Sequence, residues 1–176
     1  MSVWAISPLP ATAAKADDDG ATLLAFKAAA IGGGSDPLPS WNNSGGAGEF
    51  CSWEGVTCGA RHRRRVVALR LPAHGLAGVL SPAIGNLSFL RVLDLSYNSL
   101  AGEIPSAIGR LHRLRSLNLS SNSFTGELPT NLTSCAALEV MMLQTNRLHG
   151  RIPPELGNKL TRLEVIILWQ NNLTAP

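Results

Sequence analysis

The chain has 176 residues, of which 45% are hydrophobic and 15% are charged, and its formal net charge is +3. These values are typical of a globular domain with an apolar core. No segment reaches the roughly 18 to 20 consecutive apolar residues that a membrane-spanning helix needs, and we therefore expect no membrane contact by this chain itself.

The first sixteen residues, MSVWAISPLPATAAKA, have some features of a signal peptide. They end in the small-residue pattern Ala14-x-Ala16, which is typical of a cleavage site. They lack a basic start, however, and Pro8 and Pro10 interrupt the apolar stretch. We interpret residues 1–16 as a degraded or mis-started signal peptide.

A short amphipathic helix is predicted next. Residues 17–19 are three aspartates that supply an N-cap and negative charge at the start of the helix. Leu23, Phe26 and Ala30 fall on one helical face, and three glycines at 32–34 end the helix.

Two tryptophans, Trp41 and Trp53, follow as large apolar groups that can plug the open end of a core. Cys51 and Cys58 lie close together in the sequence, and this spacing alone is equally consistent with a disulfide and with two reduced thiols. Cys135 lies in an apolar context without a base nearby in sequence, so we expect a buried free thiol.

The basic run at 61–65, RHRRR, precedes the apolar segment VVALRL. Such a run can indicate nucleic-acid binding, but it has no interleaved aromatic residues, and a solvated connector is favoured. The four histidines have no metal-ligand spacing, and no metal site is predicted; they are His62, His74, His112 and His149.

From residue 91 onward the sequence repeats. Five kinds of position recur at intervals of 24 residues: Leu93, Leu117 and Met141; Leu95, Leu119 and Leu143; Asn98, Asn122 and Asn146; Gly102, Gly126 and Gly150; Pro105, Pro129 and Pro153. A weaker copy at 69–78 precedes them, and a fifth copy begins at Glu164, one residue late. A period of this length predicts a solenoid of stacked coils.

One copy is enough to derive the shape of a coil. In LRVLDLSYNSL, Leu93 and Leu95 alternate with polar residues, which predicts a short strand with one buried face. Gly102 occupies a position that a side chain would block, and Pro105 prevents a regular helix on the return leg. The fold class is therefore an α/β solenoid: a right-handed superhelix with short parallel strands on the concave face, an irregular or 3-10 convex side and a helical N-terminal cap.

An asparagine ends each strand. Its amide carries two donors and an acceptor, which can satisfy backbone groups that the turn leaves unpaired. We therefore predict a buried asparagine ladder formed by Asn98, Asn122, Asn146 and Asn171.

The strand positions that are not leucine are predicted to point out of the concave face and to bind a ligand. They are Arg70, Val92, Asp94, Ser96, Tyr97, Ser116, Asn118, Ser120, Met142, Gln144, Thr145, Ile167, Trp169 and Gln170. The early copies are polar, whereas Met142, Ile167 and Trp169 are large apolar groups suited to anchoring a ligand. An equally weighted alternative is that these three contact further repeats downstream or are simply exposed.

The sequence has several N-glycosylation sequons. The predicted sites are Asn86, Asn118, Asn131 and Asn172. Asn86 and Asn131 are favoured because they lie on return legs, and the sequon at Asn42 is the least favoured.

The segments LAGEIP, FTGELP and LHGRIP resemble the plant-specific class of leucine-rich repeat, and the residues DDDGATLLAFKAAA, PLPSWN and CSWEGVTC are similar to the N-terminal cap that precedes such repeats. The resemblance implies a cap at 17–64, about four and a half repeats at 65–176 and a disulfide between Cys51 and Cys58. The final NNLTAP stops where the family pattern continues as NNLTGxIP, which we interpret as truncation.

The chain resembles the N-terminal part of the ectodomain of a plant leucine-rich repeat receptor-like kinase. The resemblance implies a non-enzymatic recognition module in immune or developmental signalling, with a peptide or protein ligand and a co-receptor ectodomain as partners. No cofactor, catalytic constellation or nucleic-acid partner is predicted, and the kinase motifs are absent from this chain. The expected location is the secretory pathway and the extracellular side of the plasma membrane. The alternative is a stand-alone secreted inhibitor of cell-wall-degrading enzymes.

Overall fold

The computed structural model describes residues 19–42, 49–62 and 64–175. The predicted signal peptide, the first two aspartates of the predicted helix start, and Arg63 of the basic run lie outside these residues.

Within the described residues, six short strands form the main sheet. In chain order they are β1 (Val56–Cys58), β2 (Val66–Arg70), β3 (Val92–Asp94), β5 (Ser116–Asn118), β7 (Val140–Met142) and β9 (Val165–Ile167). Strand β1 pairs antiparallel with β2, and every later pair is parallel. We number the five coils that contain β2, β3, β5, β7 and β9 as coils 1 to 5. The structure is the predicted solenoid.

The other legs of the coils carry a second row of short strands and a row of tight helices. The strands are β4 (Ala101–Glu103), β6 (Ser123–Thr125), β8 (His149–Arg151) and β10 (Asn172–Thr174). The 3-10 helices are Pro82–Asn86, Ser106–Arg110 and Thr130–Ser134, and coil 5 is preceded by the α-helix α2 (Glu155–Lys159). A proline precedes or begins each of these helices, as expected for a residue that fixes φ but cannot continue a strand.

The sequence period sets the register of the main sheet. Leu93 pairs with Leu117, Leu117 with Met141, and Met141 with Ile166. The first three are fully buried, so the core is a continuous apolar strip along the solenoid. Ile166 remains 46% exposed because coil 5 is covered on one side only by the described residues.

The asparagines at the ends of the strands connect successive coils. The Nδ2 group of Asn122 donates to the carbonyls of Leu95 and Leu119, at 2.9 and 3.2 Å. Its Oδ1 atom accepts from the backbone N–H of Leu100 at 3.0 Å. The same two-way pattern recurs at Asn98, Asn146 and Asn171. Each side chain is partly buried and serves both its own coil and the preceding one.

Two of the repeated glycines, Gly126 and Gly150, have the role that the sequence predicts for Gly102, whereas at Gly102 itself, with a φ of +75°, an added Cβ would meet only Val79 at 3.4 Å, an ordinary contact. Gly126 and Gly150 have φ values of +80° and +83°, a region that favours glycine. An added Cβ would also lie 2.8 Å from the side chain of Glu103 or Glu127 in the preceding coil. A residue with a side chain here would therefore disturb the stacking of the coils.

The cap helix α1 (Asp19–Ala30) closes the first coil. Leu23, Phe26 and Ala30 are fully buried on its inner face. The carbonyl of Ala30 accepts from the backbone N–H groups of Ala77 and Gly78, at 3.1 and 2.9 Å. The last turn of the helix therefore bonds directly to coil 1.

Aromatic residues fill the space between the cap helix and the first strands. Trp41 and Trp53 are buried and stacked, with ring centroids 5.4 Å apart, and Phe26 packs against Trp41. The indole Nε1 of Trp41 donates to the carbonyl of Glu54 at 2.9 Å, so its polar atom is satisfied. The disulfide between Cys51 and Cys58 is present, as the resemblance implied.

Asp19 has a role beyond helix capping that the sequence does not reveal. The side chain is buried, and its Oδ2 atom accepts from the backbone N–H of Val66 at 2.7 Å. Arg65 approaches the same carboxylate at 3.3 Å. Burial of a charge is favourable only with such partners, so Asp19 and Arg65 fix the cap to the first parallel strand.

None of the helices within residues 19–42, 49–62 and 64–175 combines the length with the apolar character that crossing a lipid bilayer demands. Within the same ranges, no group of three or more histidine, cysteine, aspartate or glutamate side chains is arranged to hold a metal ion.

Candidate ligand-binding surface

The main sheet presents a row of outward side chains at every second position along its strands. The row at the start of the strands is formed by Val92, Ser116, Val140 and Val165, which pair in register. The next outward row contains Arg70, Asp94, Asn118, Met142 and Ile167. Neighbouring parallel strands lie about 4.8 Å apart, so these rows form a closely spaced array on a rigid backbone.

The polar part of this surface lies on coils 2 and 3. In coil 2, Asp94 accepts through Oδ1 from the backbone N–H and the hydroxyl of Ser96, at 3.1 and 2.7 Å. Asn118 and Ser120 repeat this arrangement in coil 3 with the same distances. The outer carboxylate and amide are half-buried and remain accessible from the concave side.

Ser96 and Ser120 differ from the sequence-based expectation. Both were expected to face a ligand, but each is only 3% exposed, and its hydroxyl is directed to the residue two positions earlier. The chain turns at this point, so the simple alternation of a strand no longer applies to the fifth residue of the segment. These two serines stabilise the turn.

The apolar part of the surface lies on coils 4 and 5. Met142 and Ile167 replace the polar outward residues of coils 2 and 3, and both are half-buried. Trp169 is 59% exposed, and Val165 is exposed on the same coil. A partly exposed tryptophan next to aliphatic groups is the kind of anchor that contributes most of the free energy of binding at protein interfaces.

The residue before each ladder asparagine has a left-handed backbone conformation. Tyr97, Ser121, Thr145 and Gln170 have φ values between +53° and +58°. This conformation is unusual for residues other than glycine, and it turns the side chain away from the core. Tyr97 is consequently 68% exposed at the rim of the concave face.

The glutamine and threonine side chains of coils 4 and 5 complete the surface. The hydroxyl of Thr145 donates to Oε1 of Gln170 at 2.8 Å, which links the two coils at the rim. Gln144 occupies the position of Ser96 and Ser120, and its Oε1 atom is buried without a hydrogen-bond partner among the described residues. At the cap end, Arg70 is exposed and lies in register with Asp94.

The predicted glycosylation sites have different environments. Asn86 and Asn131 are exposed and belong to the 3-10 helices of the convex side. Asn172 is exposed on β10. Asn118 is half-buried in the main sheet, and its side-chain oxygen already accepts two hydrogen bonds from Ser120.

Cys135 is fully buried on the convex side, and among the described residues it is the free cysteine. Its Sγ atom donates to the carbonyl of Ile108 at 3.3 Å. Burial away from water raises the pKa of the thiol from 9.0 to about 11. A thiol in this environment is unreactive at neutral pH.

Two family models match the sequence. Residues 16–59 match the leucine rich repeat N-terminal domain, and residues 64–124 match the leucine rich repeat. The chain belongs to the leucine-rich repeat family. The matches cover the cap and the first coils of the solenoid described above.

The curated relatives are plant leucine-rich repeat receptor-like kinases, similar to this chain in its N-terminal region. The chain is 52% identical over 83 residues to the receptor kinase-like protein Xa21 of Oryza sativa subsp. japonica, which is 46% of this chain and 8% of Xa21. It is 57% identical over 61 residues to the LRR receptor-like serine/threonine-protein kinase EFR of Arabidopsis thaliana, which is 35% of this chain and 6% of EFR. The matched segments are thus less than a tenth of the length of these two relatives.

Solved structures of leucine-rich repeat ectodomains resemble this chain over most of its length. A chain of the BIR3–SERK2 complex from Arabidopsis thaliana aligns with a TM-score of 0.81 and 36% identity, covering 89% of this chain and 84% of that chain. The PEPR1–AtPEP1 structure aligns with a TM-score of 0.80 and 36% identity, covering 92% of this chain and 22% of that chain. The GASSHO1/SCHENGEN3 ectodomain of Arabidopsis thaliana, in complex with CASPARIAN STRIP INTEGRITY FACTOR 2, aligns with a TM-score of 0.79 and 34% identity over 88% of this chain and 21% of that chain.

Proposed function

We propose that this chain is a non-enzymatic recognition module of a plant cell-surface receptor, and that it binds a peptide or protein ligand on its concave face. The observation that carries the proposal is the graded surface of the main sheet, with polar groups on coils 2 and 3 and the anchors Met142, Ile167 and Trp169 on coils 4 and 5. A ligand that lies along the solenoid would meet both kinds of chemistry.

The backbone of the solenoid supports this proposal energetically. The outward side chains are carried by strands that are fixed in register by parallel pairing and by the asparagine ladder. A surface that is ordered before binding loses little conformational entropy when a ligand arrives. The affinity available from a few anchors is therefore largely retained.

The similar proteins suggest the wider context. PEPR1 was solved with AtPEP1, and GASSHO1/SCHENGEN3 was solved with CASPARIAN STRIP INTEGRITY FACTOR 2. The BIR3–SERK2 structure is a complex of two such proteins. By analogy we propose a peptide ligand and a co-receptor ectodomain as partners, on the extracellular side of the plasma membrane, in immune or developmental signalling.

The proposal can be tested with the purified chain and an array of synthetic plant peptides that includes AtPEP1 and CASPARIAN STRIP INTEGRITY FACTOR 2. We expect at least one peptide to bind, and we expect the double substitution Ile167→Ser with Trp169→Ala to weaken that binding about tenfold or more. The matched control is Val79→Ala, which removes an exposed apolar side chain outside the main sheet and should leave the affinity unchanged.

Two outcomes would count against the proposal. The first is that no peptide on the array binds the folded chain. The second is that Val79→Ala weakens binding as much as the concave substitutions do, because the contact would then lie elsewhere on the molecule.

A further inference from the structure

Basic residues are concentrated in one part of the chain. Residues 61–115 contain nine arginines and two acidic residues, whereas the rest of the chain contains six basic and ten acidic residues. The net charge of +3 is therefore the sum of a strongly basic segment, at the cap junction and the first three coils, and an acidic remainder. The proposed peptide-binding face does not account for this asymmetry, because most of these arginines lie outside it.

Several of these arginines lie at the edge of the main sheet where its strands begin. Arg91 directly precedes β3, and Arg115 directly precedes β5. The backbone N–H of Arg115 donates to the carbonyl of Arg91 at 2.8 Å, so the two residues are stacked on neighbouring coils. Both are exposed. The arginine edge is defined here as Arg65, Arg91, Arg113 and Arg115.

The other two arginines of the edge, Arg65 and Arg113, both contact one aromatic ring. The guanidinium carbons of Arg65 and Arg113 lie over the ring of Phe89, at 4.4 and 4.1 Å from its centroid. The ring of His62 contacts the same phenylalanine, with centroids 4.8 Å apart. Arg65 is held further by Asp19 and by the hydroxyl of Ser88. Stacking on an aromatic face keeps the charge of Arg113 while restricting its position.

The charge at this edge of the main sheet changes from positive to negative along the solenoid. The positions of Arg91 and Arg115 are occupied in coils 4 and 5 by Glu139 and Glu164, which are stacked on them through backbone hydrogen bonds. Arg115 and Glu139 approach to 3.6 Å, but the arginine side chain is still 52% exposed. At this row of positions, an anionic partner is therefore attracted to coils 2 and 3 and repelled by coils 4 and 5.

We propose that the arginine edge binds a linear acidic polysaccharide that carries one carboxylate on each sugar ring. Arg91 and Arg115 occupy equivalent positions on adjacent coils, about 4.8 Å apart, while Arg65 and Arg113 lie over the ring of Phe89. A polyuronate carries a charge on every ring, so a short oligomer can bring carboxylates to all of these guanidinium groups. Single-stranded nucleic acid is disfavoured because the ring of Phe89, which bases would need for stacking, is already covered by guanidinium groups.

The test measures binding of unesterified oligogalacturonate to the purified chain at low and at physiological ionic strength. We expect R91Q/R113Q/R115Q to lose about tenfold in affinity, since each exposed charge contact contributes a modest factor. The wild-type affinity should fall as salt is raised. R91K/R113K/R115K, which keeps the charge, should retain most of the affinity. R91Q/R115Q, which leaves the contacts of Phe89 intact, should show an intermediate loss and guards against a folding defect in the triple variant.

The matched control is R147Q/R151Q/K159Q, which removes the same charge from exposed positions in coils 4 and 5. An equal loss in this control would overturn the proposal, because net charge alone would explain the binding. The proposal is also overturned if the fully methyl-esterified oligomer binds as well, if polyglutamate of similar length binds as well or better, or if no binding occurs at low salt. None of these variants changes the proposed peptide-binding residues, so the two proposals fail independently.

Discussion

Coils 2 and 3 have the same backbone structure as coils 4 and 5, but their concave surfaces differ. In both halves the strands pair in register, the ladder asparagine bonds to the preceding coil, and the residue before it has a left-handed conformation. On the concave side, however, the first half presents Asp94 and Asn118, whereas the second presents Met142 and Ile167.

The comparison separates contacts that every coil makes from contacts that only some coils make. The polar pairs Asp94–Ser96 and Asn118–Ser120 give coils 2 and 3 extra hydrogen bonds at the turn. Coil 4 forms the same turn without them, although Gln144 then holds a buried oxygen without a partner among the described residues. The turn therefore forms without these polar pairs, and the outward residues are free to vary with function.

The largest expected effect on stability comes from the asparagine ladder, which all four of these coils share. Asn122→Ala removes an acceptor from the N–H of Leu100 and a donor from the carbonyls of Leu95 and Leu119. We expect a loss of about 2 to 3 kcal/mol in the free energy of unfolding, measured by urea denaturation. Asn158→Ala is the control, because this asparagine is exposed on α2 and its loss should change the stability by less than about 0.5 kcal/mol. Equal losses in the two variants would contradict the role of the ladder.

The second expected effect concerns the convex leg between β5 and β7. Cys135 takes there the place that Leu111 has in the preceding leg, and burial raises the pKa of its thiol from 9.0 to about 11. The unfolded chain therefore ionises first, and stability that is complete below pH 9 should decline by about 2 kcal/mol as the pH rises from 9.0 to about 11. The decline should be smaller in Cys135→Ala when both are denatured across this range. Identical slopes would show that other groups cause the decline.

A smaller effect is expected for the polar turn of coils 2 and 3. Ser120→Ala removes one hydrogen bond to Asn118, while the backbone N–H of residue 120 still donates to the same oxygen. The expected loss is about 1 kcal/mol, clearly less than for Asn122→Ala in the same denaturation assay. Ser106→Ala, at an exposed position on the convex side, should have little effect. If Ser120→Ala cost as much as Asn122→Ala, the distinction between shared and optional contacts would be wrong.

The smallest expected effect is a gain in stability from a substitution in coil 4. Gln144→Met removes the buried Oε1 atom that has no hydrogen-bond partner among the described residues, and keeps a side chain of similar size. We expect stability to increase by about 0.5 to 1 kcal/mol, observed as a higher thermal midpoint. A lower midpoint would mean that the amide makes a favourable contact with water that methionine cannot replace.

The period of the sequence was sufficient to predict most of the fold. Leu93, Leu117 and Met141 recur at a fixed interval, and an interval that holds at apolar, amide and glycine positions together is satisfied by stacked coils. The cap helix and its buried face followed from local patterning, and the disulfide followed from the family resemblance.

Contacts between distant, non-repeating residues could not be predicted in this way. Asp19 lies 47 residues before Val66, and nothing in the local pattern of either residue indicates their bond. Ser96 and Ser120 were assigned to the surface because strand alternation was extended one residue too far into the turn. The contacts of Phe89 with Arg65 and Arg113 depend on side chains from three coils, and only the stacked structure brings them together.

The asparagine ladder also has a direction. Every ladder asparagine reaches back to the coil before it, so the backbone groups of one turn are satisfied by a residue about 22 positions later in the chain. On a ribosome that adds roughly 5 to 20 residues per second, each coil waits for seconds until its successor emerges and completes it. The order of synthesis and the order of hydrogen bonding therefore coincide, and folding of this solenoid can follow translation one coil behind the growing end.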